Sequence, residues 1–169
     1  MVERFLSDES VFVVDSGATA FLPFWTYLLE SDIITVLRGA GRRVFVHIPI
    51  SGGEMLNDSL LGFRTLAETA AERSLVVWIN EYFGPIASEG KTFDQMQVYL
   101  DNRERVLTSI GIPRRSADTF AENIRKMREK KLTFQEAVGM APGFWLVEKQ
   151  RLCMVRRELF EQLEQTPFA

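Results

Sequence analysis

The chain has 169 residues, of which 46% are hydrophobic and 25% are charged, a composition typical of one globular domain or most of one. Its 20 basic and 23 acidic residues give a net charge of −3, which excludes a global electrostatic attraction to nucleic acid or anionic lipid. The single cysteine excludes an internal disulfide, and with one histidine it argues against a His/Cys zinc site.

Apolar runs with strand character alternate with helix-patterned stretches, an order that predicts an α/β fold with a mostly parallel sheet flanked by helices. The predicted strands are Val11–Val14, Val44–Ile48, Leu75–Asn80 and Thr108–Ile112. The predicted helices between them are Phe21–Leu37, broken into two near Ser31-Asp32, then Gly53–Glu72 and Thr92–Arg105.

After Pro113 the pattern predicts helices only, at Ala117–Glu129, Thr133–Val138 and about Phe144 to Gln165. We therefore predict an α/β core at residues 1–116 and a helical carboxyl-terminal extension at residues 117–169, packed on the same domain. The charged opening of the chain and the lack of an apolar run of about 18 residues predict a cytoplasmic protein without membrane insertion.

Polar residues and glycines follow each predicted strand: Asp15, Ser51-Gly52-Gly53, Asn80 and Ile112-Pro113. The carboxyl ends of parallel strands meet at one edge of the sheet, and ligands bind at that edge in open α/β folds. The pattern therefore predicts a binding site there. A structural strand-end aspartate and a turn asparagine remain open as alternatives for Asp15 and Asn80.

Each of these polar side chains suits one part of a Mg²⁺-nucleotide. A carboxylate at Asp15 suits Mg²⁺, directly or through water, since this cation takes one or two carboxylates beside phosphate oxygens. The amide of Asn80 offers a donor and an acceptor to the edge of an adenine. A phosphate-binding G-x-x-x-x-G-K-[ST] loop is expected on an earlier strand, yet the ten residues before Val11 contain none.

Four stretches of the chain resemble the TraL family of plasmid conjugal-transfer proteins, and the similarity runs from about Val11 to Leu163. They are Val13–Thr19 (VVDSGAT), Val76–Ile86 (VVWINEYFGPI), Glu89–Met96 (EGKTFDQM) and Val155–Leu163 (VRRELFEQL). That family belongs to the ParA/MinD-like P-loop ATPases. The resemblance implies an incomplete P-loop fold, in which this chain is the carboxyl-terminal portion and the Walker A loop lies upstream of Met1.

The resemblance also implies roles for single residues. Asp15 matches the Walker B aspartate, Asn80 matches the adenine-binding asparagine, and Pro113 falls in the adenine-adjacent loop. The implied cofactors are ATP and Mg²⁺ in the longer parent protein. We expect this chain alone to bind neither and to be catalytically inactive, because the lysine-bearing loop supplies most of the phosphate positioning.

Two basic runs indicate possible partners beyond nucleotide. Arg125 to Lys131 contains five cations, and Lys149 to Arg157 contains four. A solvated helix face explains each run, while a DNA contact is the functional hypothesis. A second hypothesis for the whole chain is a non-catalytic interaction module, in which the helical surface at Phe120–Leu163 docks onto conjugation or partition proteins.

For two further features we favour a structural explanation over a functional one. Gly52-Gly53 is typical of a tight strand-to-helix turn, although a phosphate site is the alternative. His47 is expected in the core or facing a helix. In ParA/MinD-like sheets the Walker A strand lies between the strands that correspond to Val11–Val14 and Val44–Ile48, so the resemblance implies a gap there. We expect these two strands to pair directly, or a second copy of the chain to cover the gap as a homodimer.

Overall fold

The computed structural model describes residues 1–139 and 142–168, which fold as two compact units, Met1–Phe45 and Val46–Ala169. The first unit is helical, with α1 at Val2–Ser7, α2 at Gly17–Glu30 and α3 at Ile33–Gly39. Its buried side chains come from α2 and α3: Trp25, Leu28, Ile33 and Leu37. The predicted break between two short helices is confirmed, because Asp32 takes a left-handed backbone conformation between them, with φ of 51°.

The predicted strand at Val11–Val14 is wrong, since these residues form neither helix nor strand. Val11 is 91% exposed and Val13 is 90% exposed, while Phe12 packs edge to face against Phe5 with ring centroids 4.9 Å apart. The run has strand-forming side chains, but a strand also requires a partner to bond its backbone, and no strand lies in this unit among the described residues. The expected direct pairing of Val11–Val14 with Val44–Ile48 is therefore wrong, because Val11–Val14 does not form a strand.

The second unit contains a three-stranded parallel sheet in the order β1, β2, β5. These strands are β1 at Val46–Ser51, β2 at Leu75–Asn80 and β5 at Val106–Ile112. The predicted strands at these three places and their parallel arrangement are confirmed. Two-residue strands β3 at Ala87–Ser88 and β4 at Lys91–Thr92 form a separate antiparallel hairpin.

One face of this sheet carries the main core. Alternate residues of β1 and β2 share this face and are buried there: Val46, Ile48, Ile50, Leu75 and Val77. The central strand is covered on its other face as well, since Val76 is also fully buried. The helix α4, at Leu56–Thr69, packs on β1 and buries Phe63 completely. Phe93 meets Phe63 edge to face, with ring centroids 5.3 Å apart. The apolar side of α4 therefore covers this face of the sheet, as its amphipathic pattern predicts.

The region predicted as one helix at Thr92–Arg105 is shorter and broken. Thr92 begins a single 3₁₀ turn at Phe93–Gln95, α5 follows at Gln97–Leu100, and another 3₁₀ turn occupies Arg103–Arg105. The backbone leaves the helical region at Met96, whose ψ is 143°. Met96 is itself buried, so its packing against the core overrides the local helical pattern.

The carboxyl-terminal part is helical, as predicted. A π-helical turn at Ala117–Ala121 continues into α6 at Glu122–Glu129, followed by α7 at Phe134–Val138 and α8 at Leu146–Glu164. Four buried residues join these helices in a second core: Met127, Ala137, Phe144 and Leu152. The helix α8 also packs on β5, so residues 117–168 belong to the same compact unit as the sheet.

No single helix among residues 1–139 and 142–168 combines the length and the apolar composition needed to cross a bilayer. One pair, Thr19–Glu30 with Ile33–Gly39, meets both requirements only when joined across a 65° bend.

Candidate functional site

The three parallel strands end at the same level of the sheet. Ser51 of β1 is in register with Asn80 of β2, and Asn80 is in register with Ile112 of β5. Three of the four predicted strand ends therefore meet, with Asn80 on the central strand and Pro113 directly after the neighbouring one, whereas the end expected at Asp15 does not form. This is the edge at which open α/β sheets bind ligands.

Asn80 has a local structural role. Its Oδ1 accepts a hydrogen bond from the Tyr82 backbone N–H at 3.1 Å, which caps the 3₁₀ turn at Glu81–Phe83. The interpretation of Asn80 as a turn residue is therefore confirmed for its side-chain oxygen. The Nδ2 group makes no hydrogen bond to any residue of the described chain and remains available to a ligand.

Two glycine segments cross in close backbone contact beside Asn80. A Cβ at Gly52 would lie 2.0 Å from the Gly84 carbonyl oxygen, and a Cβ at Gly53 would lie 2.7 Å from the Phe83 carbonyl oxygen. Gly53 also has a positive φ of 68°. The tight strand-to-helix turn is thus confirmed, and its glycines allow the loop after β2 to pack on the loop after β1.

An open cleft of about 520 Å³ lies beyond the end of β5. Its lining residues come from the loop after β2 and from the start of the helical part: Tyr82, Arg114, Arg115, Ser116, Ala117 and Ala121. Tyr82 was predicted from the sequence as a residue that could stack on a base, with packing as the alternative, but Arg114, Arg115 and Ser116 were not selected. The available signal was the Arg-Arg-Ser triplet directly after Pro113, which places two cations at a strand end.

The two arginines of the cleft differ in their constraints. Arg115 forms an ion pair with Glu158 of α8, and its guanidinium carbon lies 5.1 Å from the centroid of the Phe120 ring. Arg114 is exposed and has no ion pair or hydrogen bond with any described residue. Among the described residues no carboxylate lines the cleft, and the exposed Arg114 gives the lining a positive charge although Arg115 is paired. The arrangement therefore suits a planar π system or an anionic group.

The structure does not place Asp15 at a strand end. Asp15 is exposed in the first unit, and its Oδ1 accepts a 3.4 Å hydrogen bond from the backbone N–H of Gly17 at the start of α2. The expected strand-end geometry is wrong because Val11–Val14 has no pairing strand. Among the residues that the structure describes, no group of three or more His, Cys, Asp or Glu side chains could hold a metal.

Gly90-Lys91-Thr92 has the same order as the end of a phosphate loop, but its structure is different. Gly84 lies one position too far upstream for the G-x-x-x-x-G-K-[ST] spacing. Lys91 and Thr92 form strand β4 of the small hairpin. The Thr92 hydroxyl donates to Asp94 at 2.5 Å, and the Thr92 N–H donates to Gln95 at 3.1 Å. These groups cap a 3₁₀ turn instead of surrounding a phosphate.

His47 lies at the opposite end of β1 from this edge and is exposed, which corrects the expectation of a core or helix-facing residue. Its Nδ1 accepts a 3.0 Å hydrogen bond from the Trp78 indole N–H, and the Phe168 ring meets it edge to face at 5.4 Å. Desolvation by these neighbours lowers the pKa of His47 below its ordinary value of 6.5. Its role is structural pairing of β1 with β2.

Comparison with known proteins gives a clear relationship. The chain is 37% identical over 165 residues to Protein TraL of Escherichia coli, an alignment that covers 97% of this chain and 68% of that protein. The chain belongs to the TraL family. A second Escherichia coli protein of the same name is 36% identical, with the same coverage.

The chain spans about two thirds of the length of these TraL relatives. No protein-family model matches it, and no solved structure matches it. The resemblance to TraL proteins is therefore confirmed, whereas the ParA/MinD-like ATPase assignment and the roles of Asp15, Asn80 and Pro113 remain predictions.

Proposed function

We propose that this chain is part of a TraL-type ATPase accessory to plasmid conjugative DNA transfer, and that the carboxyl edge of its sheet binds the adenine of ATP. One observation carries the proposal: the unused Nδ2 of Asn80 lies at the end of the central strand, next to the end of β5 where Pro113 begins the cleft-lining loop. A base edge needs such an unpaired amide donor.

The cleft residues complement the flat faces of a base. Tyr82 is 41% exposed, and it meets the ring of Phe83 edge to face with centroids 4.9 Å apart. Arg114 is free to turn its guanidinium onto a ring, and contacts of this kind contribute about 0.5–2 kcal/mol each. Base recognition would therefore combine one amide hydrogen bond with aromatic and cationic stacking.

Phosphates and Mg²⁺ need groups that the described sheet edge lacks. In the proposal, Asp15 is the Walker B acid, and the phosphate loop belongs to a part of the parent protein that this sequence does not contain. A single carboxylate fits Mg²⁺ only together with phosphate oxygens and water. We therefore derive no hydrolytic step from this chain, and we expect it to bind Mg-ATP negligibly by itself.

The experiment uses calorimetric titration of Mg-ATP into a polypeptide extended to the length of the TraL relatives. The key variant is Asn80→Asp, because an aspartate keeps the oxygen that caps the turn at Tyr82 but loses the Nδ2 donor. We expect Asn80→Asp to weaken ATP binding about 5- to 150-fold, which corresponds to an unsatisfied base group of about 1–3 kcal/mol.

Inorganic triphosphate is the matched ligand control, because it has phosphates and no base. Its affinity should stay unchanged in Asn80→Asp. Equal weakening of ATP and triphosphate would show that Asn80 does not contact the base, and micromolar binding of Mg-ATP by the present chain alone would refute the need for an additional phosphate loop.

A further inference from the structure

A solvent-exposed tryptophan stands among lysines where α7 is followed by α8. We call this surface the Trp145 corner and define it as Lys130, Lys131, Gly143, Trp145 and Lys149. The Trp145 side chain is 81% exposed, although burial of a tryptophan is normally strongly favourable. It is separate from the cleft at the sheet edge, whose lining shares none of these residues.

The backbone beneath Trp145 is firmly positioned. The preceding residue, Phe144, is buried in the second core with Leu152 of α8. The Trp145 N–H donates to Glu148 at 2.7 Å, and its carbonyl accepts from the Lys149 N–H at 2.9 Å as α8 begins. Because the core fixes Phe144 inward and the helix start fixes the next turn, the indole is presented to solvent at small entropic cost on binding.

Lysine ammonium groups lie close to this tryptophan. The Lys130 Nζ lies 3.4 Å from the position that a Cβ on Gly143 would occupy, two residues before Trp145. Lys149 lies in the first turn of α8, whose N-cap is Trp145, and its Nζ donates to the Gly139 carbonyl. Ammonium groups therefore lie against the backbone at Gly139 and Gly143, on the chain that leads to Trp145.

The cations of residues 122–149 outnumber the acidic residues there, six to four. Arg125 pairs with both Glu122 and Glu129, and Lys126 pairs with Glu148 at 2.7 Å. Four cations of this region have no carboxylate partner within residues 1–139 and 142–168: Arg128, Lys130, Lys131 and Lys149. The α6 carboxyl terminus accounts for only about half a negative charge, so a net positive potential remains.

We propose that the Trp145 corner binds single-stranded nucleic acid, with a base stacked on the Trp145 indole and phosphates placed near Lys130, Lys131 and Lys149. Proteins that bind single strands without sequence preference combine two elements, an exposed aromatic face for the bases and positive charge along the sugar-phosphate backbone. A duplex does not expose base faces, and therefore the tryptophan specifies a single strand. The inference does not rest on adenine binding at the sheet edge.

The apolar exposure at this place is compact. Leu146 and Val147 are 83% and 59% exposed and extend the platform beside the ring, whereas Leu152 and Val155 farther along α8 are buried. A helix that lies in a bilayer interface needs an apolar stripe along its length. The exposed apolar side chains of α8 are concentrated in its first turn, and Met154 and Phe160 farther along are less exposed, at 39% and 47%.

The experiment measures fluorescence anisotropy of a labelled 20-nucleotide oligo-dT with the chain at low salt. Trp145→Ala should weaken binding about 5- to 150-fold, the effect of losing one stacked base. Trp145→Phe should retain most of the affinity, since phenylalanine keeps a stacking face. Phe160→Ala, at a residue 47% exposed on the same helix, is the matched control and should leave binding unchanged.

The lysines have their own measurable signature. Lys130→Gln with Lys131→Gln should make the slope of log affinity against log salt less negative by about 0.7 per lysine. Lys91→Gln, in the distant small hairpin, should leave the slope unchanged. Circular dichroism and thermal melting of each variant establish that it is folded before the titration.

Three outcomes would overturn the proposal. They are an unchanged affinity in folded Trp145→Ala, a duplex of equal length bound as tightly as oligo-dT, or no oligo-dT binding by the wild-type chain at low salt. Binding of anionic phosphatidylglycerol vesicles that depends on Trp145, without oligo-dT binding, would assign the corner to a lipid surface instead. Failure of the adenine proposal is distinguishable, because Asn80→Asp should leave oligo-dT binding intact.

Discussion

The side-chain amide of Gln162 bonds both backbone groups of Gly111. The Gly111 N–H donates to Oε1 at 2.7 Å, and Nε2 donates to the Gly111 carbonyl at 3.0 Å. Since β5 is an edge strand, the amide takes the place of a peptide group from a further strand. On the other edge, Pro49 of β1 has no N–H to leave unpaired. The two edges of the sheet are thus protected from pairing with another strand by different means, a side-chain amide at β5 and a proline in β1.

Gln162→Ala should lower the free energy of unfolding by about 1–3 kcal/mol, because it removes two hydrogen bonds to a part-buried backbone. Urea denaturation followed by circular dichroism measures the change. Gln150→Ala, at an exposed position on the same helix, is the control and should change stability by less than about 0.5 kcal/mol. Equal stability of the two variants would contradict the edge-pairing role.

Gly52→Ala should destabilise the fold by at least about 2 kcal/mol or prevent folding. Its Cβ would meet backbone atoms of Gly84 and Pro85 at 2.0, 2.6 and 2.8 Å, and backbone yields less readily than a flexible side chain. Gly62→Ala is the matched control in the interior of α4, where no atom lies within 4 Å of the new Cβ. That variant should gain about 0.5–1 kcal/mol through helix propensity. Thermal melting of both proteins gives the comparison.

Stability should fall as the pH drops below about 6.5. The folded-state pKa of His47 is lowered by desolvation, so between this lowered pKa and 6.5 the unfolded chain binds more protons than the folded one. The contribution is complete above pH 6.5 and lost as the pH falls through the folded-state pKa. Protonation also removes the Nδ1 acceptor of the Trp78 indole.

His47 is the chain's one histidine, so its imidazole titration is directly readable by NMR. His47→Gln should remove this component of the pH dependence in urea denaturation. Trp78→Phe should remove the indole N–H that donates to His47 Nδ1, while His47 itself still titrates. A pKa of His47 at or above 6.5 in the folded protein would contradict the prediction.

Val13→Lys should reduce self-association without lowering the melting temperature. Val13 is 90% exposed in a run of strand-forming residues without a pairing strand, and such a run can pair with other chains. Light scattering at rising protein concentration measures the effect. Val46→Lys is the contrasting variant, because Val46 is buried in the sheet core and the change should unfold the protein. Unaltered scattering in Val13→Lys would exclude this segment as the site of association.

Asp15→Ala should abolish ATP hydrolysis in a polypeptide extended to the length of the TraL relatives, while leaving the fold intact. Within the part of the chain that the structure describes, the exposed side chain makes only one long hydrogen bond, at 3.4 Å to Gly17, and so contributes little to stability. Phosphate release gives the rate, and Asp58→Ala, exposed on α4, serves as the control. Full turnover by Asp15→Ala would remove this residue from the proposed site.

The sequence by itself determined the elements whose signals are local. Strand β2 begins and ends as predicted at Leu75 and Asn80, and the helix break at Asp32 lies where it was expected. The capping box of Thr133 with Glu136 starts α7 at the predicted place. The motif-rich stretches also determined membership of the TraL family. Periodicity, capping and motif order lie within a few neighbouring residues, so these features do not depend on distant contacts.

Tertiary structure alone decided the features that need a distant partner. Val11–Val14 has the composition of a strand, yet it does not form a strand, because strand formation requires hydrogen bonds to another backbone. The pairing of Gln162 with Gly111 and of Trp78 with His47 joins residues far apart in the chain. The arginine cleft likewise forms only where the loops after β2 and β5 meet. Local pattern fixes which side chains an element presents, but packing decides which of them come together.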